Sequence, residues 1–238
     1  MSLFLLTVVF LLGLAIGVPV AITLGVASLA YILSSGIPLV VVPQKMFAGM
    51  DIYVLLCIPG FVLAGNLMNA GGITPRIISF AQAGVGWMRG GLGMTNVASS
   101  MLFGGISGTA VADAASIGGM MIPGMKRAGY PADFSAAVTS ASSTIGPIIP
   151  PSVPMIIVGA LSGISVGKMF IAGIIPGLLL GVGMLIITYI LSVRRNYPRH
   201  PWQGWFHLWQ TFLGAFWALA MTALIVGGMV SGFATPTE

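Results

Sequence analysis

Four apolar stretches, residues 3–35, 52–70, 169–193 and 208–233, dominate this chain. Each approaches or exceeds the roughly 20 residues a helix needs to cross the hydrocarbon of a bilayer. No water is available there to satisfy a peptide group. Spanning segments must therefore be helical, and irregular backbone at depth must be buried in protein or line a wet cavity. Charged residues make up only 5% of the 238 residues and hydrophobic ones 57%, whereas soluble domains carry about a quarter charged residues. The fold class implied is an all-α polytopic membrane protein in contact with the lipid bilayer. The first stretch lacks a basic leader and a small-residue cleavage site, so it reads as a mature span. Cys57 is alone, which excludes an internal disulfide, and is expected to be a packing residue.

The net charge of +5 could suggest nucleic acid as a partner. Membrane topology accounts for it instead, because the cations fall at the ends of apolar stretches. Placing Arg76, Arg89, Lys126, Arg127, Arg194, Arg195 and Arg199 in the cytoplasm, with Lys45 and Lys168 outside, satisfies the positive-inside rule. Both ends of residues 90–125 then lie on one face, although the segment is too short for two comfortable spans. Its middle reads "GGISGTA", residues 104–110, and glycines permit the φ > 0 and close approach that a hairpin tip requires. A re-entrant helical hairpin over 91–127 follows. By alternation, 1–72 holds scaffold-type helices interrupted at "GVP" (17–19) and 73–90 an interfacial arm helix with Trp87 at headgroup level. Residues 128–168 form a crossing, 169–195 return, and 196–238 hold a tryptophan-rich interfacial segment and one further helix. The N-terminus is expected on the periplasmic side. The first and last spans run in opposite senses, as an inverted repeat would start.

The crossing over 128–168 contains "SSTIGPIIPPS", residues 142–152. Pro147, Pro150 and Pro151 remove donors and release carbonyls from the helical ladder. A simple proline kink would look similar. A second break, at the hairpin tip, is equally rich in Ser, Thr and Gly, and transporters build ion sites from such paired interruptions. Asp133, after "GYPA", is expected to cap the helix that leads to the break.

The runs "FGGISGTAVADAASIGGMMIPGMKRAGYP" (103–131) and "AVTSASSTIGPIIPPSVPMIIVGALSGISVGKMFIAGIIPGLLLG" (137–181), with "GVPVA" and "LAGNLMNAGGIT" upstream, resemble the large membrane subunit of the TRAP (tripartite ATP-independent periplasmic) transporters. The resemblance covers nearly the whole chain but only the first half of that subunit, which continues past a "TPTEA"-like sequence where this chain ends in "ATPTE". It implies an ion-transporter-like elevator fold, here one half of an inverted repeat. It also implies a bacterial inner-membrane protein that imports an organic acid, such as a dicarboxylate or a sialic-acid-like carboxylate, with Na⁺ as coupling ion. The partners implied are a small membrane subunit and a periplasmic substrate-binding protein. No G-x-x-x-x-G-K-[ST] loop occurs, so an ion gradient rather than a nucleotide is the expected energy source.

The Na⁺ ligands expected are Ser107, Gly108 and Thr109 at the tip and Ser143, Thr144 and Gly146 at the break. Neutral oxygens suit a hard cation without fixing a charge in the bilayer, where a carboxylate is expensive. Ser152, Pro150 and Pro151 fall on the substrate side, near half-helix N-termini that favour an anion. Asp113 and Asn66 are candidates for support, or for stitching helices together. Two other function classes remain open to the sequence. "GISG" (105–108) matches an intramembrane serine protease motif, but the only histidines, His200 and His207, lie in the interfacial segment. A passive channel would show flux that ignores the Na⁺ gradient. The topology is checked by thiol labelling: cysteines at Lys45 or Lys168 should react from the periplasm, those at Arg89 or Lys126 only from the cytoplasm. Labelling of Arg89 and Lys126 from opposite faces would exclude the hairpin.

Overall fold

The computed structural model describes residues 2–233; the terminal "TPTE" and the residue before it, 234–238, lie outside the described residues. Every regular element among the described residues is helical. The chain divides into two units, Met1–Ile52 and the segment from Tyr53 onward.

In the first unit α1 (Ser2–Ala15) and α2 (Val20–Ser34) pack against each other, followed by α3 (Val41–Met50). The expected "GVP" interruption is a turn at Gly17, after which buried Thr23 returns its hydroxyl to the Pro19 carbonyl at 3.2 Å. That bond keeps a polar side chain satisfied in an apolar helix pair.

The second unit opens with a 3₁₀ turn, Tyr53–Leu56, and continues through α4 (Cys57–Ala70), α5 (Ile73–Val85), α6 (Gly91–Ser107), α7 (Ala110–Arg127), α8 (Ala132–Ser143), α9 (Val153–Ser162), α10 (Val166–Arg194) and α11 (Gly204–Val230). Only α10 and α11, among the described residues, are single helices long and apolar enough to cross a membrane; α9 is a shorter apolar helix. Cys57 is buried against Ile156, Val166 and Phe170, as a packing residue should be. One local expectation is corrected. Asp133 does not cap α8: Pro131 holds the cap position and Asp133 lies inside the first turn, with no side-chain cap bond formed. Proline's fixed φ starts the helix earlier than the aspartate would, and a first-turn carboxylate still complements the helix dipole. α11 likewise begins at Gly204, upstream of 208, so His207 and Trp205 belong to the continuous helix.

The helices α6 and α7 form a hairpin enclosed by two apolar clusters. On one side Phe103, Ile106, Ile117 and Met121 pack with Ile77 of α5 and Ala218 of α11. On the other Val97 and Met125 meet Phe134, Val138 and Ile145 of the α8 region. Between the clusters runs a buried polar seam. Asn96 Nδ2 donates to Thr139 Oγ1 at 2.6 Å, and Ser100 and Ser142 share a hydrogen bond of 3.0 Å. With little hydrophobic drive between helices in lipid, close packing and such bonds set which faces meet. Asn96→Leu should therefore lower stability by about 1 kcal/mol, a Tm drop of about 2–4 °C in detergent, whereas Ser140→Ala on the exposed face of α8 should leave it unchanged.

Candidate ion and substrate site

The hairpin turns at the three residues expected to form its tip. Ser107 ends α6, Gly108 takes φ +59°, and Thr109 caps α7, its hydroxyl accepting from the Ala112 amide at 3.3 Å. The segment between α8 and α9, residues 144–152, is non-helical, and the Pro150–Pro151 peptide is cis. Ser152 caps α9: its Oγ accepts from the Met155 amide at 3.3 Å and donates to the Pro147 carbonyl. Two interruptions thus occur where the sequence placed them, each tied off by a hydroxyl.

They also touch. The Val153 amide, an orphan donor at the start of α9, donates to the Gly108 carbonyl at 3.3 Å. A Cβ on Gly108 would lie 2.7 Å from the Pro151 carbonyl oxygen and 3.3 Å from Ser152 Cα. Both the left-handed backbone and this contact require glycine. One turn back, a Cβ on Gly104 would fall 2.8 Å from Gly146 Cα, and the Thr109 carbonyl oxygen lies 3.4 Å from where a Gly146 Cβ would stand. Backbone therefore meets backbone, bringing the tip against Gly146 and residues 151–153.

The other expected residues are placed unevenly. Thr144 is exposed and returns its hydroxyl to the Ala141 carbonyl at 2.7 Å. Asn66, also exposed, lines a recess of about 210 Å³ beside the tip, together with Asn69, Ser107, Thr109 and Ser116. Asn69 is held there, donating to Ser116 Oγ at 2.9 Å and accepting from Thr74 Oγ1 at 2.6 Å. Pro150 faces elsewhere, toward an apolar recess of about 300 Å³ between α6, α10 and α11. His200 lines a recess with Trp87 and Trp202, away from the residues around Ser107.

Asp113 is the decisive placement. It is 0% exposed in the first turn of α7, and neither carboxylate oxygen has a hydrogen-bond partner. The Ser143 and Ser100 hydroxyls face it. Ser143 Oγ donates to the Thr139 carbonyl at 2.8 Å. Ser142 Oγ lies 3.1 Å from the same carbonyl and 3.0 Å from Ser100 Oγ, and either hydroxyl of that pair can be the donor. Asp113 thus sits among buried oxygens, and on α6 Asn96 Oδ1 and Ser99 Oγ are likewise buried without a hydrogen-bond partner. Sequence reasoning ranked Asp113 as support and did not single out Ser100. The signal was there in the helical spacing of Asn96, Ser99 and Ser100 and of Ser135, Thr139, Ser142 and Ser143, all on buried faces.

The family model described as "Tripartite ATP-independent periplasmic transporter, DctM component" matches residues 7–238. The chain belongs to that family. Among curated relatives, it is 40% identical to the sialic acid TRAP transporter permease protein SiaT of Haemophilus influenzae, across 100% of this chain and 39% of the relative. It is 41% identical to the C4-dicarboxylate TRAP transporter large permease protein DctM of Vibrio cholerae, over 94% of this chain and 50% of that protein. It is 40% identical to the 2,3-diketo-L-gulonate TRAP transporter large permease protein YiaN of Escherichia coli, over 95% and 53%. The chain thus spans about half the length of the curated relatives it matches, or somewhat less. As a TRAP permease chain with long apolar helices it is a membrane protein. Gly108→Ala should cost about 1–2 kcal/mol for the left-handed backbone alone, plus the clash at Pro151. The check is faster proteolysis at the hairpin tip, with Gly119→Ala, where a Cβ meets open space, as the silent control.

Proposed function

We propose that this chain is the tip-and-break half of a Na⁺-coupled TRAP permease that moves an organic acid across the bacterial inner membrane by an elevator motion. In this reading the chain is one half of an inverted repeat, its N-terminus is periplasmic, and the hairpin re-enters from the cytoplasmic side. A small membrane subunit braces the complex, and a periplasmic binding protein delivers the substrate. The names of the relatives, which mention dicarboxylate and sialic acid, support a carboxylate as the substrate class.

One observation carries the ion assignment: a fully buried carboxylate, Asp113, without a hydrogen-bond partner, faced by the Ser143 and Ser100 hydroxyl oxygens. A buried charge left unpaired is costly, and a cation beside it relieves that cost. Na⁺ would be held by the Asp113 carboxylate with Ser143 Oγ and Ser100 Oγ, while the Ser107 and Gly146 carbonyls and the second lone pairs of the Gly108 and Thr109 carbonyls close the cage from the tip. The bound ion would neutralise the single buried carboxylate of this region, which removes the electrostatic cost of carrying it through the bilayer. It would also hold the tip against the break. The substrate's carboxylate would then meet the recess lined by Asn66, Asn69 and Thr109, with Ser152 at the N-terminus of α9 adding a favourable partial positive charge.

The test uses the full-length subunit with its small membrane subunit and binding protein in proteoliposomes. Asp113→Asn should raise the Na⁺ concentration for half-maximal uptake by about tenfold, equal to about 1.4 kcal/mol of lost ion binding. Thr109→Ala should raise it less, and Thr144→Ala not at all. Unchanged Na⁺ dependence in both the Asp113 and Thr109 variants would remove the assignment. Uptake indifferent to Na⁺ in the parent protein would point to a channel.

A further inference from the structure

A second place on the molecule joins a polar pocket to an apolar groove. The loop between α5 and α6 and the segment between α10 and α11 meet, with the Gly90 amide donating to the Pro198 carbonyl at 3.2 Å and Trp87 edge-on to Trp202 at 6.0 Å. Between them lies a small pocket of about 90 Å³, lined by Gln82, Trp87, His200, Trp202 and Gln203. The two loops carry Arg89, Arg195 and Arg199, and Arg194 ends α10, all exposed. Asp133 acts on Arg195, which is also engaged with the Tyr197 hydroxyl at 3.4 Å and the Phe134 ring at 5.8 Å. Trp202 packs edge-on to Trp205 at 5.8 Å, and Trp205 starts a groove of about 280 Å³ shared with Phe80, Leu208, Trp209 and Phe212. The groove is walled almost wholly by carbon, and Trp205 in its wall is 78% exposed.

We propose that this composite site binds one anionic phospholipid, with its phosphate headgroup in the Trp87–Trp202 pocket among the arginines and an acyl chain along the groove between α5 and α11. Charge complementarity selects the headgroup: the loops that meet at the pocket carry the exposed guanidinium groups of Arg89 and Arg199, each within two residues of a pocket-lining side chain. The adjoining groove selects an amphiphile over a free anion, because a phosphate alone leaves the aromatic wall uncovered. The tryptophans place the junction at headgroup depth. This site requires only that the chain reside in a membrane, and it does not depend on the ion or substrate assignment.

Native mass spectrometry of the full chain in detergent, titrated with phosphatidylglycerol or phosphatidylcholine of matched acyl chains, tests it. Phosphatidylglycerol should be retained about tenfold more tightly, and Arg89→Gln with Arg199→Gln should abolish that preference while phosphatidylcholine retention stays the same. Equal retention of the two lipids by the parent, or an unchanged preference in the arginine variant, would overturn the proposal. Full competition by millimolar inorganic phosphate would show a free-anion site instead, and would also overturn it. A measurement on the unaltered protein covers a variant that misfolds. Phosphatidylglycerol brominated on its acyl chains should quench tryptophan fluorescence at lower lipid fractions than brominated phosphatidylcholine, and equal quenching would count against the site.

Discussion

The hydrogen bond from the Val153 amide to the Gly108 carbonyl joins the two interruptions on which this fold depends. An amide at the start of a half-helix inside a membrane has no water to donate to. Left unpaired, it would cost more than most packing contacts return. The hairpin tip supplies the acceptor, and glycine at position 108 lets the tip come close enough to do so. Because each interruption satisfies the other, neither can be moved alone. The close approach of Gly104 to Gly146 and the buried seam of Asn96, Ser100, Thr139 and Ser142 continue the same interface along the helices.

That rigidity frames the ion proposal. The seam is rich in hydroxyls, but most hold their protons within their own helix, donating to the Gly91, Pro131, Ser135 and Thr139 carbonyls. Serine and threonine in membrane helices commonly behave this way, and it normally makes them inert. Asp113, fully buried with the Ser143 and Ser100 hydroxyls facing it, has no hydrogen-bond partner of its own.

The sequence disclosed the interruptions because their causes are local. Three prolines and a Gly-rich tip change backbone chemistry wherever they fall, so the hairpin turn at 107–109 and the non-helical segment 144–152 follow from residue type alone. The interface between them was legible only as proximity. Thr144 looked equivalent to Ser143 in the sequence, yet a step of about 100° around the helix separates a buried hydroxyl facing Asp113 from an exposed one. Ser100 was passed over because its role depends on Ser142, 42 positions away. Asp133 was misplaced by two residues because proline at 131 fixes the helix start more firmly than a capping aspartate does. The groove between α5 and α11 could not be read at all, since its walls come from segments more than 120 residues apart, as Phe80 and Phe212 show.

The central claim, that the tip and the break enclose a cation beside Asp113, is tested most directly by electron cryomicroscopy of the full-length subunit in Na⁺ and in N-methylglucamine. In Na⁺ the account predicts a non-protein density touching the Asp113 carboxylate, Ser143 and the tip carbonyls, with Gly108 against Val153, and loss of that density when Na⁺ is replaced. A donor group hydrogen-bonded to Asp113 in both conditions, with no ion between tip and break, would contradict it.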